Sequence, residues 1–331
     1  MSTMREVAAR AGVSVKTVSR VFNDDPHVLP DTRERVQAAL RELNYVPNEL
    51  PSILRAGRAP VIAIAVPDIV DPFFAAITQS IQRLAFEREM FTLVVSLGAD
   101  PELERPMVEG LLKRGLSGLV LAPITTDQSY LSVWSMRLPV VFVDRQPAKL
   151  AADSFTEDDE GGADTATTHL IAHGHRRIAF VGERPLLRTA AGRLAGYRAA
   201  LARAGLAEDP DLVLLGVDDR AGARDALVVL RRLPDPPTAI FSSNARCTMH
   251  LLPALRRREF ALVGFGDFPM ADVVSPAVTV IDQDPYRLGR LAAERIFDRL
   301  DAPDRRYRRR TVVPVHLVER QSCQAGPAGR G

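Results

Sequence analysis

Lys16 and Arg20 stand four residues apart in the stretch MREVAARAGVSVKTVSRVFN, residues 4–23. That spacing is about one helical turn, so the two cations share a side of a helix. Val15, Thr17 and Ser19 lie outside with them, while Val18, Val21 and Phe22 supply an apolar face. An arginine donates bidentately to guanine in the DNA major groove, a lysine donates to the same acceptors, and a valine offers apolar contact to a thymine methyl. Positioning such groups requires a second element. Val7, Ala8 and Ala11 give the preceding segment an apolar stripe at helical spacing. Gly12 suits a helix exit, and Ser14 sits where the next helix needs an N-cap. Two short helices joined by a tight turn form a helix-turn-helix, whose second helix enters the major groove by its N-terminal end. The spacing alone fits a helical hairpin inside a larger core equally well.

Other chemistry finds less support. His169 and His173 are four apart in THLIAHGHRRIAF, with His175 close by, a spacing compatible with a metal, but no Glu-based zinc-protease pattern surrounds them. GFGDFP lacks the third glycine of a dinucleotide fingerprint, and GxSxG, HExxH and P-loop patterns are absent. No catalytic residue, metal or cofactor is expected. Cys247 and Cys323 have no metal-ligand spacing and suggest a reducing compartment. The start, MSTMREV, has no apolar secretory core, and no run is long enough to span a bilayer, so the expectation is a cytoplasmic protein without a membrane partner.

With 331 residues the chain calls for two or three domains. Its net charge of +2 lies wholly in residues 1–58, where nine basic side chains face seven acidic ones. That is a weak electrostatic footprint for nucleic acid, so the case rests on pattern. A third helix, 32–43, with Val36, Ala39, Leu40 and Leu43 on one face and Asp31 or Thr32 as cap, would close a small core. YVPNELPSILRAGR, 45–58, is a connector in which Asn48 can cap a short helix carrying Leu50, Ile53 and Leu54. From Val61 onward, strands such as VIAIAV, FTLVVSL, GLVLAP and VVFVDR alternate with helices. A second series runs from RRIAFVG through DLVLLG and TAIFSS to FALVGFG. Two such series predict two α/β lobes with parallel sheets and a cleft at the carboxyl ends of the strands. RRTVVPVHLVERQSC reads as one last returning strand, and QAGPAGRG as a frayed end.

REVAARAGVSVKTVSRVFN, followed by HV at 27–28, TRERV at 32–36 and ELNYVPN at 42–48, closely resembles the headpiece of the LacI family of bacterial transcription repressors, and the resemblance continues to about Cys323. It implies an all-α helix-turn-helix headpiece (1–46), a hinge (47–59), a two-lobed periplasmic-binding-protein-like effector and dimerisation domain (60–323) and a flexible tail (324–331). It implies base contacts from Val15, Lys16 and Arg20, and phosphate contacts from Thr3, Ser14, Thr17, Ser19, Asn23, His27 and Thr32. Asn48 and Leu54 would belong to a hinge helix whose leucine wedges into the central minor-groove step of a palindromic operator. Pro51 departs from the usual small helix former, though proline is tolerated in a first helical turn. The family carries a similar HL…GH segment as structure, which favours a structural reading of His169 and His173. No leucine heptad follows the last strand, so a homodimer is expected.

For a small-molecule effector the resemblance points to Phe73, Phe74, Arg145, Arg193, Asn244, Asp267 and Gln283. Arg145 would be expensive to bury without an anionic or hydroxylated partner. Two family carboxylates that typically bind sugar hydroxyls are replaced, by Ala245 and Gly266. With Arg145 and Arg193 retained, the expected cleft is electropositive and its effector a sugar acid or sugar phosphate. The resulting expectation is a repressor of catabolic or transport genes. A solute-binding protein with a fused headpiece lacks its secretory signal, and an α/β enzyme lacks its catalytic constellation.

Overall fold

In the computed structural model the described residues are 3–22, 24–45, 59–184, 187–256 and 259–324. The chain divides into two compact units with the boundary between Ala59 and Pro60. The hinge positions Asn48 and Leu54, the phosphate candidate Asn23 and the tail beyond Gln324 lie outside the described residues.

Among the described residues the first unit has three helices. Helix α1, Met4–Ala11, begins with a reciprocal cap: the Glu6 N–H donates to the Thr3 hydroxyl and the Thr3 N–H to the Glu6 carboxylate. It ends on Gly12 at φ 65°, in the left-handed region where glycine is cheapest. Helix α2 is Val15–Phe22, and the Ser14 hydroxyl accepts from the Thr17 N–H at 3.1 Å. Helix α3 is Pro30–Glu42. It starts earlier than the capping residues suggested, because Pro30 occupies a first-turn position where its missing N–H is harmless. Val7, Ala8, Ala11, Val18, Val21, Val36 and Ala39 form the core. Phe22 does not join it and is 44% exposed, one position past the buried stripe.

The second unit contains two parallel-type sheets. The first sheet uses β1 (Val61–Val66), β2 (Phe91–Ser96), β3 (Gly118–Leu121), β4 (Val140–Val143), β5 (Asp153–Glu157) and β11 (Arg310–Val313), in the order β11-β5-β4-β3-β1-β2 with every pair parallel. The second uses β6 (Ile178–Gly182), β7 (Val213–Leu215), β8 (Ala239–Ser242), β9 (Ala261–Phe265), β10 (Thr279–Asp282) and β12 (His316–Val318), in the order β12-β10-β9-β8-β6-β7, with only β12 antiparallel. Helices cover both faces of each sheet, as an all-apolar strand such as VIAIAV requires. On the first sheet these are α4 (Pro72–Glu87), α5 (Pro101–Leu112) and the short α6 (Ser132–Ser135). On the second they are α7 (Asp159–Ala172), α8 (Arg188–Arg203), α9 (Arg220–Arg232) and α10 (Ala245–Leu251). Helix α11, Pro285–Asp301, leaves β10 and returns to the first lobe, where Leu288, Ala292 and Ile296 pack with Ile77 and Ile81 of α4.

The chain therefore crosses between lobes three times, at residues 157–159, 282–285 and 313–316. The returning segment RRTVVPVHLVE is two strands rather than one, and contributes β11 to one sheet and β12 to the other. Two buried acids hold this frame. Glu104 in α5 accepts from the backbone N–H groups of Ile124 and Thr125 at 2.6 and 2.9 Å, from the Thr125 hydroxyl and from Tyr130. It thereby fixes the loop after β3. Asp153, at the head of β5, accepts from Arg295 at 2.9 Å and Arg299 at 2.8 Å, both on α11. Removing one partner of a buried charge pair leaves the other uncompensated, so Asp153→Ala is expected to lower the unfolding free energy by about 3–5 kcal/mol. The exposed Arg88–Asp301 pair joins the same helix to α4, yet Asp301→Ala should cost less than about 1 kcal/mol. Urea unfolding of both variants checks the contrast.

Candidate DNA interface and effector cleft

On α2 the structure sets Val15, Lys16 and Arg20 outward, while Val18 and Val21 are buried. Val15, an apolar side chain, is 42% exposed at the N-terminal end of the helix. The Arg20 Nε lies 3.6 Å from Asp25, a loose exposed pair that leaves the guanidinium most of its donors. His27 is exposed; its backbone N–H and Nδ1 approach the Asp25 carboxylate at 2.9 and 3.0 Å, and the His27 contacts hold that carboxyl below its usual range. Ser14 and Thr17 share a hydroxyl–hydroxyl bond of 2.9 Å at the start of α2. Thr3 caps α1, while Ser19 and Thr32 are half-buried. Several phosphate candidates are thus also capping residues. Their hydroxyls sit beside helix N-termini whose free N–H groups favour an anion.

In the second unit, the predicted effector residues gather at the carboxyl ends of the strands and at the crossovers. Asp71 caps α4 by accepting from the Phe73 N–H at 2.9 Å. Phe73 and Phe74 meet edge to face at 5.1 Å and belong to the core of the first lobe. Asp144 and Arg145 follow β4, Glu157 ends β5, and Asp159 opens α7. From the second lobe come Glu183 after β6, Ser243 and Asn244 after β8, Asp267 after β9 and Gln283 after β10. Arg193, on α8, is the centre of the group. Its Nε donates to Asp159 at 2.7 Å, its Nη1 to the Ser243 carbonyl at 2.9 Å, and its guanidinium lies 4.0 Å from the centroid of the Phe265 ring.

One sequence expectation, the electropositive cleft, needs correction here. The cleft is not electropositive. Arg193 is paired with Asp159, and Arg145 lies 3.0 Å from Asp144 while donating to the Pro123 carbonyl at 2.9 Å. Glu157 and Glu183 add further carboxyl groups, so each guanidinium is already answered by a local acid. Arg320 holds Asp267 bidentately at 2.6 and 3.1 Å. Asn244 caps α10 through Cys247 and donates to Glu183 at 3.0 Å. Phe73 and Phe74 are core residues as well as cleft residues. These partners come from residues distant in sequence, which motif matching cannot pair.

The two replaced carboxylate positions are neighbours in space. Gly266 has φ 88°, and a Cβ placed on it would lie 2.7 Å from Gln283 Oε1 and 3.3 Å from the Ala245 side chain. An aspartate at 266 would be strained there and would displace Gln283, so the small residues and the glutamine fit as a set. Gln283 in turn donates to Glu157 at 3.1 Å, joining the first and second crossovers.

Burial governs the acids. It pushes the Asp159 carboxyl up to about 6 despite Arg193, and raises Glu157 well above its ordinary 4.5, reinforced by Asp144 and Asp159. Burial alone would lower the pKa of Arg193, but Asp159, Asp144, Glu157 and Glu183 more than reverse that, and it stays charged. Glu157 Oε1 accepts from Gln283, and Oε2 has no hydrogen-bond partner. The Ser243 hydroxyl is likewise buried without a partner, and Asp144 Oδ2 and Arg145 Nε face each other as an ion pair without hydrogen-bond geometry. Asp144 holds φ 64°, a strained conformation for a non-glycine residue and one that clusters at ligand sites. Across the mouth, Asp68 of the first lobe meets Arg246 of the second at 3.6 Å.

Because the folded state holds the Glu157 proton more tightly than the unfolded chain, this group stabilises the protein fully below about pH 4.5, and that contribution is lost as pH rises towards its folded pKa. Compared with Glu157→Gln, the wild-type protein should lose stability over that range by up to about 1.4 kcal/mol per pH unit. Paired urea titrations at several pH values measure the difference, and a constant offset would mean that Glu157 is ionised.

Residues 3–48 match the description "Bacterial regulatory proteins, lacI family", and residues 167–323 match a "Periplasmic binding protein-like domain". The chain is 32% identical to the ribose operon repressor of Escherichia coli (strain K12), over 98% of this chain and 100% of the relative. It is 30% identical to the HTH-type transcriptional regulator GalR of the same organism, over 89% and 88%. Among solved structures, the lac repressor dimer bound to operator and the anti-inducer ONPF superposes with a TM-score of 0.85 at 26% identity, covering 97% of this chain and 99% of that one. No helix among the described residues is long and apolar enough to cross a membrane. An outward-facing α2, a three-helix unit and a two-lobed α/β unit agree with these matches, and the chain belongs to the lacI family of bacterial regulatory proteins: it is a DNA-binding transcriptional repressor, not an enzyme.

Proposed function

We propose that this repressor binds a palindromic operator as a homodimer, controls genes for the uptake or breakdown of a sugar, and is itself controlled by a neutral, polyhydroxylated effector. The observation that carries the effector reading is the pairing of both cleft guanidiniums with carboxylates, beside the unpartnered Glu157 Oε2 and Ser243 hydroxyl. A sugar phosphate or sugar acid entering this cleft would meet Asp144, Asp159 and Glu183, where Arg145 and Arg193 are already paired. A sugar hydroxyl donates to a carboxylate and accepts from a guanidinium, so it satisfies the groups present. The chain's 32% identity to a ribose operon repressor supports this reading over the sugar-acid alternative.

Dimerisation fits the free edge of the first sheet. Strand β2 ends that sheet, and Phe91 and Leu93 on it are exposed, with Phe86 and Leu103 exposed on the adjoining helices. An apolar sheet edge of this kind invites pairing with a second copy. Two copies present two α2 helices to two half-sites, and the base contacts fall to Val15, Lys16 and Arg20. Thr3, Ser14, Thr17, Ser19, Asn23, His27 and Thr32 serve the phosphates, and Asn48 and Leu54 serve the hinge.

The direct test is operator selection from random DNA with the full chain, followed by fluorescence anisotropy. Arg20→Ala should cost about 1–3 kcal/mol on the selected site and relax base choice at one position per half-site. An equal loss on selected and random DNA would assign Arg20 to phosphate. Failure to select any sequence would overturn the reading as a sequence-specific regulator.

A further inference from the structure

Away from the effector cleft, four side chains with metal-ligating atoms converge in the second lobe. They are His169 and His173 at the end of α7, and Glu319 and Cys323 just beyond β12, and their ligand atoms all lie within 4.8 Å of one another. We propose that His169, His173, Glu319 and Cys323 form a tetrahedral site for a divalent transition metal of zinc type.

The donor set is two imidazoles, one carboxylate and one thiolate. That combination suits zinc, and the two anionic ligands balance a doubly charged ion. The two histidines are one helical turn apart, with ring centroids 4.4 Å apart. Glu319 and Cys323 repeat the four-residue interval on the facing segment. His173 Nδ1 lies 2.9 Å from the His169 carbonyl, which can only accept, so the proton sits on Nδ1 and the lone pair on Nε2. That Nε2 lies 3.8 Å from the Glu319 carboxylate and 3.9 Å from Cys323 Sγ. Metal bonds of about 2.0–2.3 Å at tetrahedral angles put ligand atoms about 3.3–3.8 Å apart, so closure needs shifts of no more than about 1 Å.

Two further details mark the group as more than a chance cluster. His169 Nε2 is buried and has no hydrogen-bond partner, a state that a coordination bond would relieve. Cys323 is fully buried, yet its sulfur has only weak contacts, with Thr279 at 3.5 Å and the Arg320 carbonyl at 3.7 Å. Glu319 and His173 remain partly open to solvent and supply a route in for the ion. The site would fasten α7, which starts at the first crossover, to the segment that follows the third. Arg320, between two of the ligands, is the residue that grips Asp267 at the cleft.

The test uses the purified full chain stripped of metal. Cobalt(II) should give the visible bands of a tetrahedral ion with a thiolate-to-cobalt band in the near ultraviolet, displaced by one equivalent of zinc. Loss of an outer-shell partner alone weakens metal affinity by about 10–100-fold, so His173→Gln and Cys323→Ser, which each remove a ligand, should each weaken zinc binding by more than about 100-fold. Metal-free melting of the variants should match the wild-type, which separates loss of the site from loss of the fold. Octahedral cobalt, a spectrum without the thiolate band, or undiminished zinc binding by a variant that keeps its wild-type melting would overturn the proposal. If one variant unfolds, the cobalt spectrum of the wild-type and the behaviour of the other variant still decide.

Discussion

A guanidinium buried at a chain crossover must be paired, and the architecture of the second unit follows from how Arg193 is paired. Its partner Asp159 is the first residue of α7, immediately after the chain passes from the first sheet to the second. Its other contacts, the Ser243 carbonyl and the Phe265 ring, come from the ends of two central strands. One side chain thus ties a crossover to α8, β8 and β9. The stacking of the cation on an aromatic face adds stabilisation at a buried site. The same pairing consumes the charge that could have drawn an anion into the cleft, so structural duty and ligand preference are one consequence.

The alternation of apolar strands and helices made most of the second unit legible in the sequence, including both sheets and the cleft at their carboxyl ends. What stayed hidden had physical reasons. Strand β5, DSFTE, is wholly buried but mostly polar, because its groups hydrogen-bond or pair with α11 and the cleft. Such a strand carries neither an apolar run nor an alternating pattern. Helix α11 is an ordinary amphipathic helix, and nothing local says that it returns to the first lobe. In the first unit the apolar stripe identified the core apart from Phe22, since a helix of two turns has no room to bury a third position on the side facing away.

The cleft candidates can be named from sequence, but their partners cannot. Matching positions to a pattern identified Arg145, Arg193, Asp267 and Gln283 without showing that Asp144, Asp159, Arg320 and Glu157 would meet them. Counting only the two lost carboxylates therefore gave the wrong sign for the local charge balance. Glu104 and Glu157 had no signal at all, because a buried acid is recognised by its donors, and those arrive from other elements. The histidine pair has the same history: its spacing on α7 was visible, whereas Glu319 and Cys323 are brought to it only by the last strand's return to the second sheet.

The cleft's charge balance is tested most directly by its choice of ligand. Calorimetric titration of the full chain with a panel of neutral pentoses and hexoses, each beside its acid and phosphate, compares hydroxyl recognition with charge recognition in one experiment. The account predicts that a neutral sugar binds and that its charged forms bind at least tenfold more weakly, a difference of about 1.4 kcal/mol or more. Tighter binding of an acid or a phosphate than of its neutral parent would contradict the account.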